Sequence, residues 1–161
     1  MKYFLACILS IGLLSSCEKD SASCNYNNSS LVATPTEIAY LSAYMQTNNI
    51  NALQDASGVF YVIHTQGSGK TPNICSPVTV NYKLYLLSNG TLVDQSFDGY
   101  PYTNQLGALI IGWQKALPLI KPGGSITLYI PPSLAYGSNN QNPAIPANSY
   151  LRFEIELLSV G

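Results

Sequence analysis

Residues 122–137 read PGGSITLYIPPSLAYG, and their first half alternates apolar and polar side chains. Ile126, Leu128 and Ile130 fall on one side of an extended chain, with Ser125, Thr127 and Tyr129 on the other, because successive strand side chains point to opposite faces. One face is therefore buried and the other wet, the habit of an antiparallel sheet.

The same period of two recurs on either side. Val78, Val80, Tyr82, Leu84 and Leu86 alternate with Thr79, Asn81, Lys83 and Tyr85; Leu151, Phe153, Ile155 and Leu157 alternate with Arg152, Glu154 and Glu156. The stretch ASGVFYVIHTQGSG, 56–69, begins this extended region, and SNGT at 88–91 is a hairpin signal leading into LVDQSF. Between the strands, IIGWQKAL at 110–117 allows a helix of about two turns at most, since Pro118 disfavours helical geometry at the residue before it. One short helix against one antiparallel sheet is an α+β arrangement. Trp113, the single tryptophan, then faces the centre of whatever the sheet curls around.

Upstream, TPTEIAYLSAYMQTN at 34–48 carries helix signals: Thr34 as N-cap, Pro35 in the first helical position and Glu37 three residues after the cap. Ile38, Leu41, Tyr44 and Met45 form one stripe. This helix is too short for a dimerisation stalk, so a monomer is expected.

The chain starts with Met1-Lys2, an apolar run YFLACILSIGLL and then LSSC ending at Cys17. The run is shorter than the ~20 residues a membrane-spanning helix needs, and it reads as a signal peptide over 1–16. The site resembles the bacterial lipobox, which makes Cys17 the lipidated residue that anchors the protein to a membrane of the cell envelope. Residues 17–33 are polar and read as a flexible tether. Cys7 leaves with the signal, so Cys24 and Cys75 remain in an oxidising compartment, as a disulfide or as two free thiols. A bridge would close a loop of about 50 residues, which loop entropy values at ~4 kcal/mol.

Only 9% of residues are charged and the formal net charge is -1, with no basic run, which argues against a nucleic-acid partner. His64 is the sole histidine, so a catalytic triad or a histidine metal site has nothing to build on; it reads as a structural or edge residue. GSGK at 67–70 lacks the spacing of a phosphate loop. Asp98 lies in a turn-like FDGYP, whereas Asp94 in LVDQS has apolar neighbours and, if buried, needs hydrogen-bonding partners such as Tyr82 and Tyr136. Carboxylates so close in sequence, in such different surroundings, do not make a glycosidase pair. No metal or cofactor is expected. What is abundant is aromatic and aliphatic surface with a few hydroxyls, which suits a concave apolar pocket. Rotation about an X-Pro bond needs little more, because a dry pocket can favour the twisted amide over the planar one without a covalent step.

With these residues in view, the sequence resembles the FKBP family of macrolide-binding prolyl isomerases. The resemblance covers 78–158 and, more loosely, the strand from Val59; it is carried by VTVNYKLYLLSNGTLVDQS, PYTNQLGALIIGW, PGGSITLYIPPSLAYG and AIPANSYLRFEIELL. It implies a curved antiparallel sheet of five or six strands wrapping a short helix, within a domain over 58–161 preceded by a helical extension over 34–57. By the same resemblance, Trp113 floors a proline pocket walled by Tyr82, Val93, Tyr102, Leu109, Ile110 and Phe153. The Ile110 N–H and the Tyr136 hydroxyl donate to ligand carbonyls, Asp94 accepts from Tyr82, and Ile145 lies on an overhanging loop. Val93 stands where the family usually has phenylalanine, Tyr102 replaces another, Asn104 stands where an apolar ring is common, and 107–112 is two residues short. Lys83-Leu84 follow Tyr82 where a small residue and a glycine are typical. The expected activity is peptidyl-prolyl isomerisation on proline-containing exported polypeptides, with a macrolide as candidate ligand. The alternative is a proline-binding chaperone or adaptor module of the envelope.

Overall fold

The structure, a computed structural model, describes residues 24–96, 99–138 and 142–161. The expected signal peptide, Cys17 and the start of the tether lie outside the described residues, as does Asp98.

Helix α1, Pro35–Thr47, starts where its signals place it. Thr34 accepts from the Glu37 N–H, Glu37 reciprocates to the Thr34 N–H, and Pro35 occupies the first turn. Strands β1 (Leu53–Gln54), β2 (Phe60–Thr65), β3 (Pro77–Leu86), β4 (Leu92–Gln95) and β5 (Tyr102–Gln105) follow. Then come α2 (Ile111–Ala116), β6 (Gly124–Ile130) and β7 (Leu151–Val160). The strands make one sheet in the order β1-β2-β6-β7-β3-β4, with β5 beside the other half of β3, and every pair is antiparallel.

This is the expected α+β arrangement, with one difference in number. The sheet has seven strands because β4 and β5 share one edge: β4 pairs with Lys83–Tyr85 and β5 with Pro77–Val80. Gly99 at φ 78° and Pro101 lie between the two. β1 is only two residues long, too short for any periodicity to show.

The alternation works as read. The inner face of β3, β6 and β7 supplies Val80, Leu84, Ile126, Leu128, Phe153 and Leu157, all buried with Trp113, Ala116 and Leu117 in one core. Helix α2 comes very close to β6: a Cβ on Gly112 would stand 2.6 Å from Ile130. After Ala116 the chain tightens into a 3₁₀ turn over Leu117–Leu119, in keeping with Pro118. On the outer face, Leu41 and Met45 of α1 pack on Phe60, Leu87 and Tyr129.

Composition predicts a free tether over 17–33, but from Cys24 on the chain is fastened. Cys24 and Cys75 are joined, with Cα atoms 5.5 Å apart. The Tyr26 ring lies where a side chain on Gly107 would be, Lys115 Nζ donates to the Ser29 carbonyl, and the Ala33 N–H donates to the Ser57 carbonyl at 2.8 Å.

Candidate functional site

Trp113 lies in the first turn of α2, which follows the extended Ile110, and only 4% of its surface is exposed. Its ring meets Phe153 edge-on at 5.2 Å between centroids and Tyr82 at 5.5 Å, and Tyr82 meets Tyr102 at 5.9 Å. Such edge-to-face pairs contribute about 0.5–1.5 kcal/mol each beyond area burial, and they fix ring planes as well as positions. Period-two burial on β3 and β7 aims Tyr82 and Phe153 inward to meet α2.

These rings form one end of a cavity of about 350 Å³, with Leu109, Ile110 and Ala108 along one wall and Tyr102, Asp94 and Tyr136 completing the lining. The Trp113 indole N–H is buried and has no partner among the described residues. The Ile110 N–H likewise hydrogen-bonds to no described residue. The floor is thus apolar, with donors left over, as a ligand site requires.

The polar groups sit at the rim. Tyr82 Oη donates to Asp94 Oδ2 at 2.7 Å, and the Gln95 N–H donates to Oδ1 at 2.9 Å. Burial first, then the bond and charge of Asp94, push the Tyr82 hydroxyl well above its ordinary value. The Tyr136 hydroxyl is also raised, by burial first and then by Asp94 and Tyr102. The Tyr136 residue as a whole is 39% exposed and lines the cavity beside Asp94 and Tyr102. Both hydroxyls therefore remain proton donors at neutral pH.

Asp94 itself is exposed, despite its apolar neighbours in sequence. Its strand is an edge strand, so one flank is open. Tyr82 is its partner as expected, but no hydrogen bond among the described residues joins it to Tyr136. Val93 is half-buried against the core and does not line the cavity; Ile145 is 3% exposed and also belongs to the core. Tyr82, Asp94, Tyr102, Leu109, Ile110, Trp113, Tyr136 and Phe153 line this one cavity.

Two of the departures compensate each other: Asn104 Nδ2 donates to Tyr102 Oη at 2.9 Å, so the polar side chain at 104 serves the hydroxyl at 102. Two contributors were not read from the sequence. Ala108 lines the wall, its position beside Leu109 being the signal that could have found it. Gln114 Nε2 donates to the Gly107 and Leu109 carbonyls at 3.2 and 2.7 Å and so holds that wall in place; nothing in its spacing signals this. His64 is on the outer face, bonded to Thr127 Oγ1 at 2.8 Å, a structural role.

The family model FKBP_C, described as FKBP-type peptidyl-prolyl cis-trans isomerase, matches residues 69–158. This chain belongs to the FKBP-type family. It is similar to the FKBP-type peptidyl-prolyl cis-trans isomerase FkpA of Buchnera aphidicola subsp. Schizaphis graminum, 44% identical over 125 residues, covering 75% of this chain and 47% of that protein. It is also similar to the peptidyl-prolyl cis-trans isomerase Mip of Coxiella burnetii, 39% identical over 123 residues, covering 76% of this chain and 52% of that one. The chain thus spans about half the length of the curated relatives it matches. Among solved structures, FkpA from Escherichia coli superposes with a TM-score of 0.68 at 37% identity, over 78% of this chain and 59% of that one. AtFKBP13 gives 0.61 at 29% identity, over 69% and 99%. The match begins after α1, so the extension helix of this FKBP-type chain lies outside the family model.

Proposed function

We propose that this chain is a peptidyl-prolyl cis-trans isomerase acting on exported polypeptides. The observation that carries the reading is the apolar cavity floored by Trp113, Tyr82 and Phe153 and rimmed by Tyr136 and the Tyr82–Asp94 pair. The proline ring rests on the indole, and the carbonyl groups around it meet the Ile110 N–H and the Tyr136 hydroxyl. Resonance resists rotation by ~18–20 kcal/mol in amides generally, and the twisted amide has lost that resonance along with part of its carbonyl polarity. A low-dielectric pocket disfavours the planar, polar amide more than the twisted one, which is catalysis by differential binding. Asp94 holds Tyr82 against the floor and takes no proton. No cofactor enters this scheme.

Export, lipidation at Cys17, anchoring in the cell envelope and monomeric action belong to the same proposal. The Cys24–Cys75 bridge supports it, since structural disulfides persist in oxidising compartments. There, X-Pro isomerisation takes tens to hundreds of seconds unaided and limits folding. A macrolide is a candidate competitor for the same cavity.

A second reading, a proline-binding chaperone or adaptor, is favoured by one observation: Val93 leaves the cavity wall without an aromatic ring at that position. The isomerisation rate of a proline tetrapeptide separates the two. The enzyme reading expects acceleration that Trp113→Ala abolishes and Tyr136→Phe lowers about tenfold. Absence of acceleration, with peptide still quenching Trp113 fluorescence, leaves the binding module.

A further inference from the structure

Helix α1, outside the family-matched segment, reaches the site through one carboxylate. Glu37 Oε2 accepts from the Thr34 N–H at 2.8 Å, from Thr34 Oγ1 at 2.9 Å and from Ser133 Oγ at 2.8 Å, while Oε1 accepts from the Ser133 N–H at 2.9 Å. The Thr34 bonds close the helix cap. The Ser133 bonds leave the helix for a turn 96 residues away. A cap alone could be served by glutamine. Glutamine has one acceptor oxygen, though, so with that oxygen at the Oε2 position its NH2 group would face the Ser133 N–H that Oε1 accepts from, donor against donor.

Ser133 and Tyr136 belong to one stiff unit. Pro131 and Pro132 restrict its entry. The Pro131 carbonyl accepts from the Leu134 N–H at 3.1 Å, and the Pro132 carbonyl accepts from the N–H groups of Ala135 and Gly137 at 3.1 and 2.9 Å. Gly137, at φ 64°, turns the chain, and its carbonyl accepts from the Asn148 N–H at 2.9 Å. Ser133 is thus held to α1, and Tyr136, three residues on, lines the cavity. One turn along α1, Tyr40 stacks on Tyr150 at 4.1 Å between centroids, just before β7 begins. The helix therefore grips the chain on both sides of Tyr136.

We propose that Glu37 is a positioning residue for the isomerase reaction: by holding Ser133 it sets where the Tyr136 hydroxyl stands over the cavity. This rests on the isomerase reading. It assigns a task to the extension helix, which otherwise only covers part of the outer face.

The test measures kcat and KM of the full chain on a proline tetrapeptide. The variants are Glu37→Ala, Glu37→Gln and Thr34→Ala, each also in a Tyr136→Phe background. Both Glu37 variants are expected to lower kcat about fivefold with KM changed less than about twofold. Thr34→Ala, which removes the cap hydroxyl but leaves both Ser133 bonds, is expected to stay within about twofold of wild type. In the Tyr136→Phe background the Glu37 effect is expected to shrink below about twofold, because residues that act as one unit are not additive. Wild-type kcat in the Glu37 variants, an equal loss in both backgrounds, or an equal loss in Thr34→Ala overturns the proposal. Should Glu37→Ala not fold, Ser133→Ala removes one of the same bonds from the other end and carries the test. A wild-type chain without isomerase activity refutes the isomerase reading separately. The same proteins are then titrated with the tetrapeptide on Trp113 fluorescence. Affinities within about twofold of wild type, matching the unchanged KM, place the Glu37 effect in the turnover step and support the positioning role; a loss of affinity as large as the loss of kcat/KM overturns it.

Discussion

On the inner face of the sheet, Val80, Leu84, Leu128, Phe153 and Leu157 continue without a break into Trp113, Ala116 and Leu117, and the hollow left there is apolar and aromatic. On the outer face, Leu41, Met45, Phe60, Leu87 and Tyr129 form a smaller cluster under α1. Beyond it lies a second hollow of about 500 Å³, lined by His64, Asn81, Lys83, Thr127, Glu154 and Glu156 among others. The outer hollow is the larger, yet its polar groups largely satisfy one another: His64 with Thr127 and Asn81 with Glu156. The inner hollow has an aromatic floor and two donors without partners among the described residues, the Trp113 indole N–H and the Ile110 N–H. The lining, not the volume, distinguishes a candidate site from a groove.

The largest expected effect concerns the strap on the inner side. Reducing Cys24–Cys75, whose sequence separation is 51, should cost about 4 kcal/mol by loop entropy, read as a lower urea midpoint. A Cys24→Ser/Cys75→Ser chain as stable as the oxidised protein would show that Tyr26, Ser29 and Ala33 hold the strap unaided.

Next comes a matched pair of truncations. Leu128→Ala on the inner face should cost about 2–5 kcal/mol and lower isomerase activity, since Leu128 is fully buried in the core that carries Trp113. Met45→Ala, far along α1 from Glu37, should cost about 2 kcal/mol, at the low end of the range, and leave kcat/KM within about twofold. Chemical denaturation measures the first quantity and tetrapeptide turnover the second. Equal losses of both stability and activity would erase the distinction between the faces.

A smaller effect belongs to the contact that joins α1 to the site. Burial raises the Glu37 carboxyl, but hydrogen bonds from Thr34 and Ser133 outweigh it and leave the group below its ordinary 4.5. A depressed folded value means stability that is present above pH 4.5 and lost as pH falls through the folded value. The thermal midpoint of the wild type should therefore drop more steeply than that of Glu37→Gln on acidification below that point. Parallel curves would remove the coupling. Smallest of all, Lys83→Ala in the outer hollow should stay within about 0.5 kcal/mol and leave turnover unchanged; a loss of turnover would make that hollow part of the site.

Much of the site was legible because it is built on periodicity. Tyr82 and Phe153 lie on the apolar side of their strands, so the alternation that buries Leu84 and Ile155 also turns them inward. Trp113 follows from its place in a helix cut short by Pro118. The exposure of Asp94 was not legible, since nothing in LVDQS says that its strand lies at the sheet's edge. Gln114 was missed because its bonds go to carbonyls whose positions depend on the turn over Leu106–Ala108.

The amino-acid order alone determined the strands β2, β3, β4, β6 and β7, both helices and the capping box at Thr34, because each depends on side chains a few residues apart and on backbone preferences that act locally. Tertiary structure alone decided that Cys24 meets Cys75, that Tyr26 lies on Gly107, and that Glu37 spends half of its hydrogen-bonding capacity on Ser133. Those partners are 51 to 96 residues apart, or meet only once the sheet has curled around α2. No local pattern encodes a distance that the folded sheet has yet to set.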